Sequence, residues 1–250
     1  MIVTYLDHSG FAVELEPCVL LFDYHQGELP LWEKEKAIYV FVSHKHRDHF
    51  NMKIFDLADR YPKVHYFLGS DIKLSKKYLE RNHVPASVKE KITNVGKNKS
   101  LCWDEFGIGA LEIQSLRSTD AGVAFIVQTQ GRCIYHAGDL NWWHWEGEPY
   151  PFNENMEQNY KREIGSIEGM HFDAAFVPLD PRLEKAYGWG MDYFLTHTKA
   201  DYVFPMHMWG EYDFIEKYKR TSLGSQNRER IVEIQNPGQK FELWNISYLR

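Results

Sequence analysis

The run Ser43-His44-Lys45-His46-Arg47-Asp48-His49-Phe50 constrains this chain more than any other stretch. It follows Ala37-Ile38-Tyr39-Val40-Phe41-Val42, an apolar segment rich in β-branched and aromatic residues and free of Gly and Pro. Such a segment reads as a buried strand. Beyond the run, Ile54, Phe55, Leu57 and Ala58 recur at helical spacing and stop before Pro62, which predicts a helix over Phe50–Tyr61. Three imidazoles and a carboxylate are therefore delivered to the carboxyl end of a strand and the turn that leaves it.

Imidazole and carboxylate suit Zn, Mn, Fe, Co or Ni, and no thiolate lies nearby to narrow the choice. His44 and His46 stand two apart in an extended turn and can share one ion. Asp48 and His49 fall where the chain changes direction, and aim more naturally at a second point. The plainer alternative is a polar loop with surface histidines. The density of the run behind a buried strand favours metal binding.

His-x-His-x-Asp-His after a buried strand resembles the central motif of the metallo-β-lactamase superfamily of hydrolases. Further motifs match in order. The early strand-end Asp is similar to Asp23 in Val19-Leu20-Leu21-Phe22-Asp23. The bridging Asp of a Gly-Asp pair resembles Asp139, after Cys133-Ile134-Tyr135-His136-Ala137-Gly138. The late His resembles His207, after Tyr202-Val203-Phe204-Pro205-Met206. The resemblance implies an α/β fold, the αββα sandwich of two packed mixed sheets flanked by helices, with metals at one edge. It implies that His44 and His46 hold a first ion, that Asp48, His49 and His207 hold a second, and that Asp139 bridges. Asp23 would orient a ligand imidazole through its far ring nitrogen. One motif departs from the pattern. Where the family supplies a third histidine to the first ion, this chain reads Leu116-Arg117-Ser118-Thr119-Asp120-Ala121-Gly122. Asp120 either replaces that ligand or merely shapes the turn.

What the resemblance implies for function is a metal-dependent hydrolase loaded with two divalent ions, Zn first, with Mn or Fe as alternatives. A metal-bridging hydroxide would attack a phosphoester, lactone or other ester of a small anionic substrate, as in the ascorbate-6-phosphate lactonase and cyclic phosphodiesterase branches. Asp48 is also the candidate catalytic group, free to take a proton from water. Trp142, from the aromatic run Leu140–Trp145, and Arg182 are candidate substrate contacts. His8 resembles the early Gly-His of the lactonase-like branch, with Asp7 in place of the Gly, and is a candidate neighbour of the site. A nuclease of the same superfamily is disfavoured by the net charge of −6 and by the absence of a long appended domain for gripping polynucleotide. A metal binder without hydrolysis stays open because of the altered third motif. A di-iron redox role is disfavoured because such relatives carry Glu where this chain has His46.

Composition adds little. With 250 residues, 44% of them hydrophobic, the chain is read as a single domain over 1–250. Isolated Cys18, Cys102 and Cys133 suggest reduced thiols, and the opening Met1-Ile2-Val3-Thr4-Tyr5 lacks a basic, apolar leader. No apolar run reaches membrane-spanning length. The expectation is a cytoplasmic protein acting on a small molecule, with neither nucleic acid nor membrane as partner. The lysines between Lys73 and Lys99 read as the solvated face of a helix and its following loop. Strands are expected at Ile2–Leu6, Phe11–Leu15, Val19–Phe22, Val64–Leu68, Ala110–Leu116, Val123–Gln128, Arg132–His136, Ala174–Pro178, Tyr202–Pro205, Ile231–Ile234 and Phe241–Trp244. Helices are expected at Asp71–Asn82, Glu154–Ile167, Met191–Thr196 and Tyr212–Lys219.

Overall fold

Apolar runs without polar alternation become the central strands. In the computed structural model, which describes residues 1–243, β3 (Cys18–Phe22), β4 (Ala37–Val42) and β5 (Val64–Gly69) are buried along their whole length and pair in parallel. Strands covered on both faces need no polar side, which is why they lack the alternation of a half-exposed strand. They sit in a sheet that also holds β1 (Ile2–Asp7), β2 (Gly10–Glu14), β6 (Ile92–Val95) and β13 (Lys240–Glu242), in the order β13-β1-β2-β3-β4-β5-β6. The second sheet contains β7 (Ser100–Trp103), β8 (Leu111–Arg117), β9 (Val123–Thr129), β10 (Arg132–His136), β11 (His171–Pro178) and β12 (Lys199–Met206). Its order is β12-β11-β10-β9-β8-β7.

The sheets pack through aromatic rings. Phe11 meets Phe176 at 4.4 Å between centroids, and Phe41 meets Phe125 at 5.3 Å. Burying each such side chain contributes about 1.5–3 kcal/mol. On the outer face of the first sheet, Val40, Val42, Tyr66 and Leu68 pack with Ile54, Phe55 and Leu57. Helices α3 (Phe152–Gly165) and α4 (Trp189–His197) cover the second sheet, with Phe194 stacked on Tyr135 at 5.0 Å. The result is two mixed sheets flanked by helices, as expected. Among the described residues, no helix is long and apolar enough to cross a membrane.

Several expected elements are altered. The helix expected over Phe50–Tyr61 is a 3₁₀ turn at Met52–Asp56 followed by one α-turn, α1 (Leu57–Arg60). The side chain of Asn51 accepts from the Lys53 N–H at 3.0 Å, and that cap starts the helical segment late. The helix expected at Asp71–Asn82 shrinks to α2 (Lys76–Arg81), because Ser75 caps Tyr78 N–H. The Ile231–Ile234 strand is reduced to one parallel bridge between Val203 and Ile231. The last expected strand is found at Lys240–Glu242, while Trp244 lies outside the described residues. β6 and β7 were not expected. They are short, and their exposed positions hide any apolar pattern.

Strand direction places the site. β1, β3, β4 and β5 run one way in the first sheet, as do β8, β10, β11 and β12 in the second. The residues following β1, β3, β4, β10, β11 and β12 are His8, Asp23, Ser43-His44, Ala137–Asp139, Leu179-Asp180 and His207. These carboxyl ends meet at one edge, where sheets of this kind place their ligands.

Candidate metal centre

Two backbones touch where the His-rich turn leaves β4. The Val123 N–H of the second sheet donates to Ser43 O at 3.2 Å. A Cβ on Gly122 would fall 2.0 Å from that oxygen, and one on Gly69 would fall 2.2 Å from it. Neither position tolerates a side chain, so glycine permits the approach that fixes the turn.

From this anchor the ligand side chains are oriented one by one. Asp23, buried at 1% exposure, accepts from Ser43 N and Ser43 Oγ, each at 2.6 Å, and from His49 Nδ1 at 2.7 Å. Because Ser43 Oγ gives its proton to Asp23, it accepts from His44 Nδ1 at 2.9 Å. One carboxylate thus sets two imidazoles with their Nε2 lone pairs turned inward. Asp180 does the same for His207, accepting from its Nδ1 at 2.7 Å. Histidines held this way by a carboxylate are pre-set as metal ligands.

The inward atoms converge. Asp139 Oδ2 lies 3.2 Å from His44 Nε2, while Oδ1 lies 3.1 Å from His49 Nε2 and 3.3 Å from His207 Nε2. Two ligand-type groups result: His44, His46 and Asp139, and His8, Asp48, His49 and His207, with donor atoms within 4.8 Å of one another in each. Nε2 of His8, His44, His49 and His207, together with Asp139 Oδ1, are buried without a hydrogen-bond partner. Buried polar atoms are rarely left unsatisfied. So many orphans aimed at one place fit cations, and the donor chemistry suits Zn, Mn or Fe.

Electrostatics points the same way. Burial opposes the charge on Asp139, but His49, His207 and His44 outweigh it and hold the carboxyl well below the usual range. Burial likewise opposes a charged His49, and Asp139 and Asp23 outweigh it and raise the imidazole well above its ordinary value. Asp48 is lowered too, against burial, by His8 and His49. In this pocket carboxylates and imidazoles hold one another charged, and a cation would take the place of the imidazole protons.

Most of the expected residues assemble here: His44, His46, Asp48, His49, Asp139 and His207 as possible ligands, Asp23 behind His49. Three do not behave as expected. Asp120 is exposed on the turn before β9 and belongs to neither group; Thr119 beside it donates to Asn141 O at 2.6 Å, so the turn braces the Asp139 loop. Trp142 faces away, meeting Trp189 edge to face at 5.5 Å and lying under the Lys161 ammonium at 4.5 Å. The ring that reaches the centre is Trp143, 5.4 Å from His207, its Nε1 donating to Asp139 O at 2.9 Å. Arg182 spends its guanidinium on Asp180, through Nε at 3.0 Å and Nη2 at 2.6 Å, and on the face of Trp209 at 4.4 Å. His8 lies deeper in the centre than a neighbour's role requires. Asp180 was missed, although it follows an apolar strand just as Asp23 does, and that parallel was the available signal. His136 supports the Asp139 turn by accepting from Gly138 N at 3.2 Å.

A family model for the beta-lactamase superfamily domain matches residues 2–144, a span that includes His8, Asp23, the His-rich turn and Asp139 but stops short of His207. A UPF0173 metal-dependent hydrolase of Opitutus terrae is 30% identical over 152 residues, covering 56% of this chain and 63% of that relative. The match therefore spans less than two thirds of the curated relative's length. Among solved structures, Igni18, a metallo hydrolase of the archaeon Ignicoccus hospitalis, superposes with a TM-score of 0.59 at 16% identity, over 97% of this chain and 99% of that one. An isothiocyanate hydrolase from Delia radicum gut bacteria superposes with a TM-score of 0.53 at 12% identity, over 97% and 99%. These structural likenesses speak to the fold alone. With the family match extending over more than half of its length, the chain belongs to the beta-lactamase superfamily.

Proposed function

We propose that the protein is a metal-dependent hydrolase that uses two divalent cations to cleave a phosphoester or lactone of a small anionic molecule. The reading is carried by one observation: the two oxygens of Asp139 face different sets of unpartnered imidazole nitrogens, as a carboxylate shared by two cations requires. His44 and His46 would hold one cation and Asp48, His49 and His207 the other, with Asp139 common to both. Two such ions supply Lewis acidity and bring the pKa of water toward neutrality. The chain's own residues do the rest. Asp48, with a side chain 32% exposed, is the carboxylate of the centre most open to solvent, and its oxygen turned away from His8 takes the proton of the attacking water. Asp23 and Asp180 hold the imidazoles, so little reorganisation is needed at the moment of reaction. Trp143 closes the floor against bulk water, and half-exposed Trp209, 4.4 Å from His8, forms the rim. The net charge of −6 favours a small-molecule substrate over polynucleotide.

The test is elemental analysis paired with turnover. Purified protein is expected to carry about one to two equivalents of transition metal and to hydrolyse bis-p-nitrophenyl phosphate or a simple lactone faster with added Mn or Zn. Asp139→Asn should lose both metal and turnover. One second reading has support: His46 is exposed and Asp120 is absent from the centre, as in a metal binder without hydrolytic activity. Metal uptake with no turnover on phosphodiesters, lactones and thioesters would select it.

A further inference from the structure

We propose that His8 is a ligand to the second cation, and that the two metal sites are therefore unequal, one tight and one weak. The inference rests on the metal-dependent reading above and goes beyond it by assigning a residue outside the ligand set expected from the motifs. His8 is only 5% exposed, and its Nε2 is buried without a hydrogen-bond partner. That nitrogen lies 3.5 Å from Asp48 Oδ2, too long for a good hydrogen bond. Two donors on one ion at about 2.0–2.1 Å, subtending an angle of about 110°, stand roughly 3.3–3.4 Å apart, so the separation suits two ligands of a common cation. The ring is wedged between His207, at 4.1 Å between centroids, and Trp209, at 4.4 Å.

Its backbone is built for that position. His8 has φ of 51°, its N–H donates to Asp7 Oδ1 at 2.8 Å, and its carbonyl accepts from His207 N at 3.2 Å. A left-handed residue tied at both ends, one of them to the ligand histidine of the other sheet, is held in place by more than chance packing. The Asp7 carboxylate stands where the resemblance expects a glycine, and it secures the turn by that bond.

The other group has no comparable addition. His44, His46 and Asp139 supply three donors, His46 is exposed, and Thr119 and Asp120 contribute nothing at the place of the missing third histidine. Beside the shared Asp139, the second group offers Asp48, His49, His207 and His8, all but Asp48 buried. Donor number and pre-orientation both favour it.

Cobalt titration of metal-stripped protein tests this without reference to turnover. The wild type should bind Co(II) in two classes separated by at least about tenfold in affinity, with visible absorption developing mainly during the first. His8→Asn keeps a residue that tolerates the left-handed backbone but is too short to reach the ion. It should weaken the tight class about 10–100-fold and change its absorption, with the weak class unmoved. His46→Gln should abolish the weak class alone. His8→Gly, which relaxes the backbone, should behave as His8→Asn, and matching far-ultraviolet circular dichroism certifies the folds. Unchanged affinity and spectrum in both His8 variants would overturn the proposal while leaving the hydrolase reading intact. Absence of any Co(II) uptake by the wild type would overturn both.

Discussion

Asp23 and Asp180 perform one task in two different ways. Each follows an apolar strand, one in each sheet, and each turns a candidate ligand histidine by accepting from its Nδ1. Asp23 is enclosed: Ser43 N, Ser43 Oγ and His49 donate to it, His136 Nδ1 lies 3.8 Å away, and among the described residues its charge is balanced by histidines rather than by Lys or Arg. Asp180 is as deeply buried but is matched by a guanidinium that is 45% exposed, and its carboxyl is held down to about 2, against burial, by His207 and Arg182. A carboxylate satisfied inside the core is part of the fold, while one balanced by a surface cation is coupled to the solvent and to whatever binds at the rim. The histidine on the second sheet is therefore the adjustable one.

The comparison can be broken most decisively at Asp23. Replacing it with Ala strands the Ser43 N–H, the Ser43 hydroxyl and His49 in the interior, and should cost about 3–5 kcal/mol of stability as well as bound metal. A denaturant midpoint unchanged from wild type would show that the enclosed network matters less than its geometry indicates. Asp180→Asn should leave the fold nearly intact and weaken metal affinity by about 10–100-fold, measured by competition with a chelating dye. Arg182→Gln should act in the same direction but less, about 1 kcal/mol or under given its exposure, and its effect should fade in high salt.

A buried histidine without a carboxylate supplies the control. His65 in β5 packs against Trp103 at 4.7 Å and bonds Thr93 Oγ1 at 2.8 Å, and burial, with help from Lys91, lowers its pKa to about 4. Its folded value lies below the unfolded one near 6.5, so the unfolded chain takes up the proton first. The neutral ring's contribution is full above about pH 6.5 and is lost as pH falls from there toward about 4. His65→Asn should flatten that part of the stability profile, read from urea midpoints. At His49 the neighbouring carboxylates reverse the direction of the shift.

The sequence was informative where apolar runs end in chemistry. β3, β4, β10 and β12 announce themselves by composition, and the residues after them are the ones that converge at the candidate centre. Asp180 is not legible in the sequence beyond its place after an apolar strand, because its pairing with Arg182 two residues away leaves no trace in a pattern. Trp142 and Trp143 are adjacent and chemically alike, and which one faces inward depends on how the loop after Asp139 is braced by Thr119, a long-range contact. The same bracing leaves Asp120 exposed and outside both ligand-type groups. The 3₁₀ turn at Met52–Asp56 shares the apolar spacing of an α-helix, so periodicity could not separate them.

The glycine contacts at Ser43 carry a consequence for anyone moving this motif. Where the histidines sit is decided by main chain pressed on main chain from two directions, at Gly69 and Gly122, rather than by interchangeable packing. Grafting the octapeptide onto a foreign strand would transplant its donors but leave behind the clamp that aims them.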